Sequence, residues 1–215
     1  MLEQILNIDR SWELAINGLQ GNPIADASVA TVTWCGHAVV IFLVSVVIMR
    51  IFGKKLDKRT FWIFAISVAL GGLIANGMKE VLPRARPPID PVIGSQIKTI
   101  TYGLRTHSFP SGHAQTAVGA ATVVAAEAGV WAGLIAFAIA GAVCFSRMYL
   151  GVHFPSDVAV GALIGLVSSL VVIYIARTRR RPKGGADAGA EQKDADNHSD
   201  LQRERKPPET FEDSP

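Results

Sequence analysis

The sequence predicts an all-α membrane protein, a multi-pass helical bundle of about five spans with an interfacial helix before them. Hydrophobic residues make up 49% of the chain, and their longest stretches are nearly uninterrupted. A helix needs about 20 such residues to cross a bilayer, and five stretches come close to or exceed that length. Basic residues gather at the ends of these stretches, where a membrane helix leaves the hydrocarbon. Together the two patterns favour helices in a bilayer.

We expect the spans at residues 31–52, 61–78, 111–129, 130–149 and 158–176. The third is the weakest, because it consists mostly of Ala, Val, Gly and Thr. A tight turn near Gly129 separates it from the fourth. In the fifth, Gly161 and Gly165 stand four residues apart, a spacing that suits close packing of membrane helices. This packing could lie within the chain or between two chains.

The beginning and the end of the chain differ from this apolar body. Residues 2–19 alternate Leu and Ile with acidic residues and include Trp12, which predicts an interfacial amphipathic helix. The acidic start argues against a cleaved signal peptide. The end of the chain lacks large apolar side chains and is expected to be disordered. The predicted domains are an N-terminal segment (1–30), a transmembrane domain (31–176) and a basic stop with a disordered tail (177–215).

The basic clusters predict an orientation. Residues 50–59 and 177–183 are rich in Lys and Arg, and with five spans they fall on the same side of the membrane, which is the cytoplasmic side. The tail is then cytoplasmic, and the opposite side faces the periplasm or the exterior of an inner membrane. Basic residues on that outer side run against the rule, which suggests that function retains them. They are Lys79, Arg84, Arg86, Arg105 and Arg147.

Some classes of function are disfavoured. The net charge is +3, but the basic residues lie at the ends of apolar runs and not along a soluble face, which argues against a nucleic-acid partner. Cys35 and Cys144 lie inside apolar runs without metal-ligand spacing, so we expect small buried residues there. His37 is expected to be a packed histidine of the first span, and not a ligand.

Two blocks of residues at span ends suit an anion. Lys79 ends the second span, and Arg86 follows it after six residues in a proline-rich connector. At the start of the third span, Pro110 precedes Ser111, Gly112 and His113. A helix N-terminus offers free N–H groups to an anion, and glycine lets the anion approach the backbone closely.

A third block adds a candidate nucleophile. Ser146 and Arg147 close the fourth span, and His153 and Asp157 open the fifth at helical spacing. A carboxylate that accepts from one imidazole nitrogen leaves the other nitrogen free to attack. The three blocks supply three cations, two histidines and one carboxylate. This set could bind a phosphate dianion, attack its phosphorus and protonate the leaving oxygen without a metal.

In this order and spacing, the blocks resemble the three-part signature of the type 2 phosphatidic acid phosphatase (PAP2) superfamily over roughly residues 56–176. The resemblance implies a PAP2-like fold and a membrane lipid phosphate phosphatase that forms a phosphohistidine and needs no metal or other cofactor. It implies that His153 is the nucleophile, Asp157 its orienting partner and His113 the general acid. The phosphate-binding residues implied are Lys79, Arg86, Ser111, Gly112 and Arg147.

The substrate stays open at this point. The family suggests a lipid phosphomonoester or pyrophosphate, such as phosphatidic acid, phosphatidylglycerophosphate, undecaprenyl diphosphate or the 1-phosphate of lipid A. Arg105 and His107 are candidate headgroup contacts. The alternatives are a lipid-linked phosphotransferase with the same phosphohistidine and a silent lipid-binding membrane protein. The expected partners are the bilayer and a lipid phosphate, and the oligomeric state is open.

Overall fold

The structure is a computed structural model, which describes residues 2–99 and 107–179. All regular elements among these residues are helical, so the all-α prediction is confirmed. The α-helices are α1 (Leu2–Asn17), α2 (Pro23–Val32), α3 (Ala38–Ile51), α4 (Lys58–Val81), α5 (Gly112–Ala128), α6 (Val130–Tyr149) and α7 (Pro155–Thr178).

Helix α5 lies at the centre of the bundle. It is the run of small residues that looked weakest as a span, and most of its side chains are buried. Because Ala and Gly occupy little space, α3, α4 and α6 pack closely around it. Gly129, with a φ of 95°, makes the tight turn that folds α6 back along α5. The weak apolar signal is therefore that of a helix enclosed by other helices.

The small residues of α7 pack against α5 within the chain. A Cβ atom on Gly161 would overlap the carbonyl oxygen of Ser111, and one on Gly165 would overlap the carbonyl oxygen of Gln115. Ser169 also donates a hydrogen bond across the same contact, to the carbonyl oxygen of Gly119 at 3.1 Å. The choice between packing inside the chain and packing between chains is thus resolved in favour of the first.

The protein is embedded in a membrane as a multi-pass bundle. Among the described residues, α4, α6 and α7 are each long and apolar enough to cross a bilayer, and α2 with α3 makes up to one further, bent span. The outer faces of these helices carry large apolar side chains that no other described residue covers, as lipid-facing helices do. Examples are Trp62, Leu73, Trp131, Leu163 and Leu170, each more than half exposed.

The first span departs from the prediction. Residues 31–52 were expected to form one helix, but α2 and α3 meet at 88° across a break. A 3₁₀ turn, Thr33–Gly36, fills the break, and His37 follows it with extended backbone. Gly36 has low helix propensity and lies directly against the ring of His113, where a side chain would not fit. His37 lies at this break and not inside a span; the residue is exposed, but its ring packs against that of Trp34, with the ring centroids 5.2 Å apart.

The N-terminal amphipathic helix is present as α1, with an unexpected use of its two faces. Its polar side is turned into the protein, where Asp9, Glu13 and Asn17 are buried. Its apolar side is turned outward and exposes Ile8 and Trp12. Contact of this outer face with the membrane interface remains a prediction, as do the domain boundaries.

The Gly161 contact yields a stability test. We expect Gly161→Ala to lower the unfolding temperature in detergent, because overpacking typically costs about 1–3 kcal/mol. Gly141→Ala is the matched control, since a Cβ at this α6 glycine would meet nothing within 4 Å. Equal melting temperatures for Gly161→Ala and the wild type would contradict the close α5–α7 contact.

Candidate active site

The three motif blocks meet at one end of the bundle. Lys79 lies in the last turn of α4, and Arg147 in the last turn of α6. Helix α5 begins there at Gly112, and Asp157 lies in the first turn of α7. The chain direction alternates from helix to helix, so ends that are far apart in sequence come together in space.

His153 lies in the turn before α7 and is 2% exposed. Its Nδ1 is 3.6 Å from Asp157 Oδ2, and its Nε2 is 3.3 Å from Arg86 Nη1. The helical spacing argument was wrong on one point, because His153 precedes the helix and reaches Asp157 through the turn. Burial and the nearby Arg86 and Arg147 lower the pKa of His153 to about 4, although the hydrogen bond and charge of Asp157 act to raise it. The imidazole is therefore neutral at pH 7, with a lone pair on one nitrogen.

Asp157 is a fully buried carboxylate with donors on both oxygens. Its Oδ1 accepts from Arg84 Nη1 at 2.8 Å. Its Oδ2 accepts from the backbone N–H of Phe154 at 2.9 Å and from the hydroxyl of Ser108. The Ser108 hydroxyl also lies 3.4 Å from His153 Nδ1. Burying a charge without such partners would be costly, so these donors explain how the carboxylate is tolerated here.

The cations are held close together. Arg86 and Arg147 are 6% and 7% exposed, and Lys79 is half-buried with both arginines as electrostatic neighbours. Arg86 Nη1 donates to the carbonyl oxygen of Val152 at 2.8 Å. Arg147 Nη1 donates to Thr33 Oγ1 at 2.6 Å, while its Nε is buried without a hydrogen-bond partner among the described residues. Because neighbouring positive charges repel one another, the cluster favours an anion among them.

The start of α5 has open space beside Gly112 and a hydrogen-bonding group that no described residue uses. Ser111 is the N-cap residue, but its side chain makes no capping bond and its buried hydroxyl has no partner in the described part of the chain. A Cβ on Gly112 would meet nothing within 4 Å. His113 is half-buried, its ring 4.8 Å from that of His37 and its electrostatic neighbours including His153. These features suit an anion at the helix N-terminus.

Two predicted headgroup contacts and the expected absence of a metal stay untested. Arg105 lies outside the described residues. His107 is exposed, and its backbone oxygen accepts from Arg86 Nη2 at 3.5 Å. Within residues 2–99 and 107–179, no three His, Cys, Asp or Glu side chains are grouped to hold a metal ion.

Helix α1 also contributes to this region, which the motifs did not indicate. Asp9 pairs with Arg84 at 2.5 Å and accepts from the backbone N–H of Ser156 at 2.9 Å. Glu13 is fully buried, and neither of its carboxyl oxygens has a hydrogen-bond partner among the described residues. Burial, with added repulsion from Asp157 and Asp9, raises the pKa of Glu13 to about 9. Glu13 is therefore a neutral acid at pH 7.

Comparison with known proteins gives a consistent family. The model of the PAP2 superfamily matches residues 60–181. The putative undecaprenyl-diphosphatase YbjG of Escherichia coli (strain K12) is 27% identical over 128 residues, which cover 58% of this chain and 61% of that protein. The lipid A 4'-phosphatase of Porphyromonas gingivalis is 27% identical over 181 residues, covering 77% of this chain and 72% of that protein.

A solved structure shows the same fold. The transmembrane PAP2 type phosphatidylglycerolphosphate phosphatase from Bacillus subtilis aligns with a TM-score of 0.65 at 24% identity, over 83% of this chain and 89% of that one. The PAP2-like architecture expected from the sequence is confirmed by this likeness.

The state of Glu13 yields a test of pH dependence. Between its ordinary pKa of 4.5 and about 9, the folded protein holds a proton on Glu13 that the unfolded chain releases. Stability from this group is therefore complete at low pH and falls as pH rises, by at most about 1.4 kcal/mol per pH unit. We expect Glu13→Gln to flatten the decline of the unfolding temperature with pH.

Glu3→Gln is the control, because Glu3 lies on the same helix and is exposed. A Glu13→Gln protein whose unfolding temperature declines with pH as steeply as that of the wild type would contradict the buried neutral acid.

Proposed function

The chain belongs to the PAP2 superfamily, and from this membership we propose that it is a lipid phosphate phosphatase. Its substrate is a lipid phosphomonoester or pyrophosphate, of the phosphatidic acid, phosphatidylglycerophosphate or undecaprenyl diphosphate type. The observation that carries the proposal is the meeting of two histidines and three cations beside the open start of α5. A metal is not required for this chemistry, because the cations and the helix N-terminus supply the positive charge.

In the first step the phosphate dianion binds between Arg86, Arg147 and Lys79. The N–H of Gly112 and the hydroxyl of Ser111 donate to its oxygens at the helix start. This binding supplies the partners that the Ser111 hydroxyl and the Arg147 Nε lack among the described residues. Phosphoryl transfer depends mostly on such positioning and charge stabilisation.

His153 then attacks the phosphorus. With Nδ1 turned toward Asp157 and Ser108, the lone pair is on Nε2, the nitrogen that faces Arg86. A P–N bond forms as the bond from phosphorus to the leaving oxygen breaks, and Asp157 stabilises the positive charge that develops on the ring. The products of this step are a phosphohistidine and the departing lipid oxygen.

His113 handles the protons of both steps. It donates a proton to the leaving oxygen of the lipid as the first bond breaks. It then takes a proton from the water that attacks the phosphohistidine, which breaks the P–N bond and releases inorganic phosphate. One residue serves both steps because the second reverses the proton transfer of the first.

The placement in the cell is part of the proposal. The end of the bundle away from the site carries Arg50 and Lys58, and the Arg59–Glu127 ion pair of 2.8 Å joins α4 to α5 there. Helix α4 has 24 residues and separates the two ends by about 36 Å. The positive-inside rule then puts the basic end in the cytoplasm. The site faces the periplasm or exterior of an inner membrane, and the tail is cytoplasmic.

The first functional test is phosphate release from a panel of these lipid phosphates in detergent with EDTA. We expect the wild type to release phosphate and His153→Ala to be at least about 1,000-fold slower, because the nucleophile is lost. His198→Ala, a histidine of the tail, is the control and should match the wild type. No release by any of the three proteins would count against a hydrolase. Release or transfer only with an added alcohol acceptor would favour the phosphotransferase.

A second test separates phosphate binding at Ser111 from a capping role. We expect Ser111→Ala to lower kcat/KM by about 10-fold to 100-fold, the usual cost of a hydrogen bond to a charged group. Its melting temperature should not fall, because the hydroxyl makes no bond with the described residues. Ser67→Ala is the control, since Ser67 is another buried hydroxyl without a described partner, in the middle of α4. A Ser111→Ala protein that melts earlier at full activity would support capping alone.

A further inference from the structure

Helix α1 carries no family motif and lies outside the residues that the family model matches. Its buried Asp9 nevertheless reaches the region of Asp157 through Arg84. The arginine stands between two motif residues, Lys79 and Arg86, and the motif pattern predicts no individual role for it. This link between a helix without motifs and the Asp157–His153 pair calls for a functional account.

The guanidinium of Arg84 connects two carboxylates. Nη1 donates to Asp157 Oδ1 at 2.8 Å and to Ser156 Oγ at 2.7 Å. Nη2 donates to Asp9 Oδ2 at 2.5 Å. The guanidinium carbon lies 3.9 Å from the centre of the Phe154 ring, so a cation–π contact also holds the group. Because guanidinium donors form a rigid fork, fixing one branch aims the other.

The backbone of Arg84 supports the other side of the carboxylate. Its carbonyl oxygen accepts from the N–H of Ser108 at 2.8 Å, and the hydroxyl of Ser108 donates to Asp157 Oδ2. Arg84 therefore acts on Oδ1 directly and on Oδ2 through Ser108. Asp9 holds the same assembly from α1, because it also accepts from the N–H and the hydroxyl of Ser156 at the start of α7.

We propose that Asp9 and Arg84 are positioning residues of the active site. Asp9 holds the guanidinium of Arg84, and Arg84 holds the Asp157 carboxylate in the orientation that faces His153 Nδ1. Neither residue touches the substrate. The proposal rests on the proposed phosphatase function. It implies that α1 helps to position the catalytic residues. With this link broken, the Asp157 carboxylate turns and the proton on His153 is no longer held on Nδ1.

The contrasting explanation is that the Asp9–Arg84 pair only attaches α1 to the bundle. The chain offers a matched control for attachment, since Arg10 of the same helix pairs with Asp90 at 3.0 Å. That pair also joins α1 to the connector after α4, but its hydrogen bonds do not involve Asp157. Attachment alone predicts that losing either pair has the same effect.

The experiment measures Asp9→Asn, Arg84→Gln and the double variant that carries both changes. Arg10→Gln is the control, and the substrate is the lipid phosphate that the wild type hydrolyses fastest. We expect kcat to fall by about 10-fold to 100-fold in Asp9→Asn and in Arg84→Gln, with KM nearly unchanged. The loss of kcat in the double variant should be much smaller than the product of the two single losses, because Asp9 acts mainly through Arg84. Arg84→Lys should recover part of kcat, and Arg10→Gln should keep it.

A second readout does not depend on turnover. The ring ¹⁵N shifts of labelled histidines report which nitrogen carries the proton, and His153→Ala identifies the His153 signals. We expect the proton on Nδ1 in the wild type and in Arg10→Gln, and a mixture of tautomers in Arg84→Gln. If the wild type releases no phosphate, the phosphatase function fails, while this measurement still tests the positioning. Wild-type tautomer in Arg84→Gln, or wild-type kcat with only a lower melting temperature, would overturn the proposal.

Discussion

The arrangement of this site depends on the burial of one carboxylate. Asp157 is inaccessible to solvent at the start of a membrane helix, and a charge there is tolerated only if the protein supplies donors. The donors come from the connector after α4, from the segment before α5 and from the turn before α7. The backbone oxygen of Asp157 also accepts from the N–H of Ser111 at 2.9 Å. Satisfying one residue thus draws two segments that are distant in sequence to the turn that precedes α7.

The cations next to this carboxylate follow the opposite logic. Asp157 is supplied with hydrogen bonds, whereas Arg147 and Ser111 keep buried polar atoms without partners in the described part of the chain. Polar groups left in this state destabilise the fold, and such groups tend to persist where function uses them. The site therefore has two parts. Asp157, which orients His153, has its hydrogen bonds satisfied, whereas Arg147 and Ser111 have groups whose partners a bound phosphate would supply. Under the proposed function, these unsatisfied groups favour the binding of an anion.

The sequence was most informative where residue type and helix end coincide. The motif blocks predicted which ends would meet, and hydropathy predicted the helices, including the small-residue helix α5. Hydropathy could not predict the break between α2 and α3, because its cause is a contact of Gly36 with His113 that is distant in sequence. Nor could the pattern of α1 tell which face is inside. In a bilayer an apolar face can lie outward, so the same periodicity fits both orientations of Asp9 and Trp12.

The contact of Gly161 with Ser111 has a consequence for the precision of the site. Here two helices meet main chain to main chain, so their separation is set by atomic radii and by a backbone hydrogen bond, not by rotamers. The contact fixes the distance between α5, which carries the proposed phosphate-binding residues, and α7, which carries Asp157. Because the backbone sets this distance, substitutions of lipid-facing side chains leave it unchanged. The geometry of the candidate site is therefore independent of sequence changes on the surface that meets the membrane.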